Sequence, residues 1–73
     1  MQTLVFNTTT KEVTLLDGST RKSNILESFT NVSTVKINEA GFYEIMQKTS
    51  DETNSAITVM RVTISNTNML IEK

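Results

Sequence analysis

Ala56-Ile57-Thr58-Val59-Met60-Arg61-Val62-Thr63-Ile64-Ser65 is the stretch that decides the fold. Its apolar residues alternate as Ile57 and Val59, then as Val62 and Ile64, with a change of phase at Met60-Arg61. Successive side chains of a strand point to opposite faces, so a period of two marks a strand. The phase change then requires either a bulge or a strand covered on both sides. The segment is predicted to be the longest strand and to lie in the centre of a sheet.

Strand formers dominate on either side of it. Val, Ile and Thr are abundant, Ala is nearly absent and Pro does not occur, a composition that favours sheet over helix. Thr3 to Asn7 reads as a first strand with Leu4 and Phe6 on one face, and Glu12 to Asp17 as a second with Val13 and Leu15 together. The polar Thr8-Thr9-Thr10-Lys11 between them has the length of a hairpin connection. Asp17-Gly18 ends the second strand, with Gly18 expected to supply a positive φ.

Asn24 to Phe29 is the one helical candidate. Asn24 is placed to cap, Glu27 lies three residues later as in a capping box, and Ile25, Leu26 and Phe29 share a helical face. Val35 and Ile37 mark a further strand, Asn38-Glu39-Ala40-Gly41 a turn, and Phe42 to Lys48 the returning strand. Thr49 to Ser55 is wholly polar and reads as a mobile loop. After the long strand, Asn66-Thr67-Asn68 turns the chain into a last strand, Met69 to Glu72. The expected architecture is α+β: one β-rich domain over residues 1–73, a small, mostly antiparallel sheet with one short helix. Replacing the helix by a loop gives the alternative, an all-β barrel or sandwich.

Size bears on association. A 73-residue chain has a small core, which seldom supplies more than about 3–5 kcal/mol, and such folds add disulfides, a metal or a partner. With no Cys and no His, disulfides and the usual ligands of zinc, iron and copper are missing. A homo-oligomer is therefore expected, with no cofactor and no metal. The start, Met1-Gln2-Thr3-Leu4-Val5-Phe6-Asn7, has neither the basic nor the apolar stretch of a signal peptide, and no run is long enough to span a bilayer. The expected location is cytoplasmic. Asn7-Thr8-Thr9 and Asn31-Val32-Ser33 match the glycosylation sequon, as chance allows in so Asn- and Thr-rich a chain. A net charge of −1 with scattered basic residues argues against nucleic acid, which calls for a concentrated positive stripe, and against a membrane surface.

The same sparseness argues against an enzyme. Without His, the available bases are carboxylates and lysines, and no two carboxylates are spaced to share a face. Asp51-Glu52 lacks the ligand ladder of a calcium loop. No catalytic residue is assigned. Four residues are candidates for ligand binding. Arg61, at the phase change, has the fork to clamp a carboxylate or phosphate of a ligand or neighbouring subunit, or else pairs with Glu44. Arg21 and Lys22, the one adjacent basic pair, precede the candidate helix, whose amides would join them on an anion; otherwise they are solvated. Tyr43 is either a stacking platform or a residue at the rim of the core. Met46, Met60 and Met69 read as core filler.

The C-terminal stretch Arg61-Val62-Thr63-Ile64-Ser65-Asn66-Thr67-Asn68-Met69-Leu70-Ile71-Glu72-Lys73 resembles the ending of small proteins encoded by phages and prophages of Gram-positive bacteria. Gly41-Phe42-Tyr43 is similar to the segment that precedes that ending; Thr63 stands where those proteins typically carry Pro. The resemblance covers about the last half of the chain. It implies action by binding in the host cytoplasm, either blocking a host or anti-phage defence protein or sequestering a signalling nucleotide. The expected function is that of a non-enzymatic inhibitor that binds a protein. The alternatives are an oligomeric nucleotide sponge and a structural or assembly component of a virion.

Overall fold

The computed structural model describes residues 1–49 and 55–73. Seven strands succeed one another: β1 Gln2–Asn7, β2 Glu12–Leu16, β3 Ile25–Phe29, β4 Val32–Ile37, β5 Phe42–Lys48, β6 Ser55–Thr63 and β7 Thr67–Glu72. They form a four-stranded sheet in the order β3-β2-β1-β7 and a three-stranded sheet in the order β4-β5-β6. The two face each other. Leu4 and Phe6 of β1 and Val13 and Leu15 of β2 share one apolar cluster with Val32 of β4, Tyr43 and Ile45 of β5, and Met60 and Val62 of β6. This is the all-β sandwich, and no helix occurs among the described residues.

The expected helix over Asn24–Phe29 is β3. It pairs antiparallel with β2, Val13 opposite Phe29 and Leu15 opposite Glu27, with the register shifting between Leu15 and Leu16. Two turns of helix cannot repay their own nucleation, whereas the free side of β2 supplies a ready hydrogen-bonding partner. The irregularity also explains the misleading spacing. Leu26 falls at the register shift, so the apolar pattern Ile25, Leu26, Phe29 imitates a helical period.

Two further expectations change. The longest strand, β6, is not central but lies at the edge of its sheet, and β7 joins β1 in parallel, Gln2 opposite Thr67 through Asn7 opposite Glu72. The phase change itself is a bulge. Between the Glu44–Val59 and Phe42–Thr63 pairs, β6 has three residues where β5 has Tyr43 alone. Met60 and Val62 are thus both buried beside Tyr43 while Arg61 stays exposed. The last expectation to change is Gly18, which has no positive φ; Lys11 (62°) and Asn31 (55°) take that conformation instead, along with Gly41 (88°). A Cβ at Gly18 would lie 2.3 Å from Ser23 Oγ, so a larger residue there obliges the Ser23 side chain to turn away.

The turns carry their own caps. Asn7 Oδ1 accepts from the amides of Thr9 and Thr10 at 3.0 Å, and Asn38 Oδ1 accepts from those of Ala40 and Phe42 at 3.0 Å, the usual work of Asn at a turn. The Val32 amide donates to the Lys11 carbonyl at 2.9 Å and ties the start of β4 to the β1–β2 turn. The expected loop at Thr49–Ser55 falls largely outside the described residues.

Thr3, Val5 and Leu16 are buried without belonging to the shared cluster. They alternate with Leu4, Phe6 and Leu15 and so lie on the outer face of the larger sheet. The 17–24 loop accounts for their cover. It leaves β2 beside Thr3, yet Arg21 reaches Glu72, which is opposite Asn7. Spanning four strand residues, about 13 Å, requires the loop to fold back across that face.

These burials set two expectations for stability. Ile45→Ala, at a fully buried position, is expected to lower unfolding free energy by about 2–5 kcal/mol, while Ile57→Ala on the exposed face changes it by about 0.5 kcal/mol or less; urea unfolding compares them. Thr3 Oγ1 is buried with no hydrogen-bond partner among the described residues. Removing such a hydroxyl relieves a desolvation penalty of about 1 kcal/mol, so Thr3→Val is expected to raise Tm by several degrees in a thermal melt.

Candidate binding surface

The edge strands β3 and β6 lie along the same side of the sandwich and enclose an open groove of about 400 Å³. Leu26 and Glu27 line it from β3, the run from Thr58 to Val62 lines it from β6, and Gln2 and Leu15 contribute as well. Both strands present their unpaired backbone edge here, because each ends its sheet. Leu26, 46% exposed, and Val59, 54% exposed, are the groove's exposed apolar side chains, whereas Ile25, opposite Leu16, lies on the outer face of the larger sheet and Ile57, opposite Met46, on that of the smaller. Two charges also line the groove, Glu27 and Arg61. Neither is in an ion pair among the described residues, and the alternative pairing of Arg61 with Glu44 is not formed; Glu44 lies opposite Val59.

A second concavity, about 530 Å³, opens where the β1–β2 turn meets the ends of β4 and β5. Its lining is mostly polar: Thr10, Lys11, Asn31, Ser33, Lys48 and Thr49, with Val32 at its floor. The left-handed Lys11 and Asn31 shape it, and the Lys48 amide donates to the Asn31 carbonyl at 3.0 Å. Among the described residues two lysines and no carboxylate line it, a lining that favours a small anion. Sequence reasoning missed it, since Lys11 and Lys48 belong to separate strand ends that only the fold brings together.

The four residues singled out from the sequence do not converge. Arg61 lines the groove. Arg21 is clasped to Glu72, its Nε donating to Oε2 at 3.2 Å and its Nη2 to Oε1, so its fork is already occupied by a carboxylate of this chain. Lys22 is exposed in the same loop, with no helix beside it to add amides. Tyr43 is buried in the shared cluster beside Ile45, which removes its ring from stacking on a ligand and fills the core instead. The groove residues the sequence did not weigh as a site are Leu26 and Val59. Their exposure depends on which strands end the sheets, and no local pattern encodes that.

Among the described residues no three His, Cys, Asp or Glu side chains gather as a metal site, and no helix is long and apolar enough to cross a membrane. Comparison with protein-family models, with curated proteins and with solved structures finds no match.

The clasp is modest in energy. Its side chains are 55% and 28% exposed, and solvent-screened pairs contribute about 0–1 kcal/mol. Arg21→Ala is expected to cost no more than that in urea unfolding, with the difference shrinking as salt is added; a larger, salt-independent loss would assign the loop a packing role.

Proposed function

We propose that this chain is a non-enzymatic protein-binding module that acts by occlusion, in keeping with a phage-encoded inhibitor of a host or anti-phage defence protein. The observation that carries this reading is the open β3–β6 side. It combines two unpaired strand edges with two large, exposed apolar side chains, Leu26 and Val59. An extended segment of another protein adds to such an edge through main-chain hydrogen bonds, and side-chain contacts supply the selectivity. Exposed apolar side chains gathered along a groove mark interaction sites.

The nucleotide sponge draws support from a different place than the sequence suggested. Arg21 and Tyr43 are engaged within the chain, so phosphates would fall to Lys11 and Lys48 in the polar cleft. Two lysines are few for enclosing a polyanion. That balance favours the protein-directed reading.

Native mass spectrometry of gently purified protein separates the two. The protein-binding reading expects masses that are whole multiples of the 8.2 kDa polypeptide. A nucleotide-sized increment, lost in Lys11→Ala/Lys48→Ala, would overturn it in favour of the sponge.

A further inference from the structure

We infer that the outer face of the larger sheet is a second binding surface, held shut by the 17–24 loop. Its partner is an extended segment of another protein with apolar residues in first and third place and an arginine in fifth, which takes the position of Arg21 on Glu72. This surface is separate from the β3–β6 groove.

The strand registers define the face, because residues opposite one another in a sheet share a side. In one row Thr3 is opposite Leu16, and Leu16 is opposite Ile25. In the next, Val5 is opposite Thr14 and Leu70. In the third, Asn7 is opposite Glu12 and Glu72. The face therefore runs from an apolar end to an acidic one. Thr3, Val5 and Leu16 are buried, whereas Leu70 and Ile25 to either side stay 47% and 65% exposed, so the apolar surface extends past its cover.

That cover is poorly matched to what it covers. Asp17-Gly18-Ser19-Thr20-Arg21-Lys22-Ser23-Asn24 has no apolar side chain, and Thr3 Oγ1 is buried with no hydrogen-bond partner among the described residues. The loop bonds mostly to itself. The Asp17 amide donates to the Asn24 carbonyl at 2.8 Å and the Ser23 amide to the Thr20 carbonyl at 3.0 Å, while the Thr20 amide donates to Ser23 Oγ at 3.4 Å. Among the described residues the Arg21–Glu72 pair is its one polar tie to the sheet it crosses, and a solvent-screened pair is a weak tie. The Asp17–Asn24 bond closes the base of the loop, about which the tip lifts once Glu72 is released.

The clasp also indicates what displaces the loop. Arg21 follows Asp17 by four residues, the same step that separates the Thr3 row from the Asn7 row. A segment of that length with apolar first and third residues covers Leu16 and Val5 with apolar contact, which the loop does not, and its arginine keeps the charge-assisted bonds to Glu72. Glu12, two strands away in the same row and so about 10 Å from it, is in no ion pair among the described residues. It adds to the preference for a cation at this end.

Methyl-resolved NMR titration of the full chain with the capped peptides Leu-Ser-Val-Ser-Arg and Leu-Ser-Val-Ser-Glu tests this. The arginine peptide is expected to shift the Val5, Leu16 and Leu70 methyl resonances saturably, with a Kd of about 1–10 mM, and the glutamate peptide to bind at least about fivefold more weakly. Arg21→Ala removes the competing clasp and is expected to tighten the arginine peptide about threefold, with circular dichroism confirming that the sheets are kept. Glu72→Gln is expected to abolish the difference between the peptides. No saturable shift of those methyls in either wild type or Arg21→Ala, equal binding of the two peptides, or weaker binding by folded Arg21→Ala overturns the inference. Saturable shifts at Leu26 and Val59 instead overturn it too, while leaving the β3–β6 groove as the binding site.

Discussion

The contact between the two sheets is the constraint on which the remainder of this molecule depends. Leu4, Val13, Val32 and Ile45 are its fully buried centre, and each comes from a different strand. None of these side chains is buried by its own hairpin. Strand pairing supplies the backbone hydrogen bonds, but an isolated pair or hairpin is marginal in water, and stability arrives only when apolar faces close on each other. The bulge in β6 serves the same end. By setting Met60 and Val62 beside the single Tyr43, it fits two further side chains into a narrow interior.

A core this small leaves apolar residues over, and their placement is not random. The outer face of the larger sheet is roofed by the 17–24 loop, which covers Thr3, Val5 and Leu16 and is held by the Arg21–Glu72 clasp. The edge strand β7 exposes Leu70 and Ile71 ahead of its terminal Glu72, and β4 exposes Ile37 beside Lys36, whose charge discourages edge pairing. On the β3–β6 side Leu26 and Val59 remain in the open. The polar cleft of Lys11 and Lys48 lies where turns meet, and its chemistry is that of a small anion.

Much of the strand plan was legible in residues with strong local meaning. Asn7 and Asn38 mark their turns by capping amides, Gly41 by its positive φ, and Phe42 to Lys48 begins and ends where its pattern does. The bulge at Met60–Val62 could be read from a break in alternation, because a period of two allows no slip without an extra residue. Asn24 to Phe29 was misread because a register shift in a strand and the curvature of a helix produce the same apolar spacing. Of the candidate site residues, Arg61 lines the β3–β6 groove, whereas Arg21 and Tyr43 are engaged by partners far along the chain, Glu72 and the inter-sheet cluster.

By itself the sequence determined that the chain is built from strands, where most of them turn, and which residue types it lacks: alternation, turn residues and residue inventory are local properties. Tertiary structure alone decided that β7 returns in parallel beside β1, that β6 ends its sheet, and that Ile57 and Val59 face outward. The physical reason is that edge position and exposure depend on strand order. Strand order is chosen by how two whole sheets bury one shared core, a contest among distant segments to which no single stretch of the chain holds the answer.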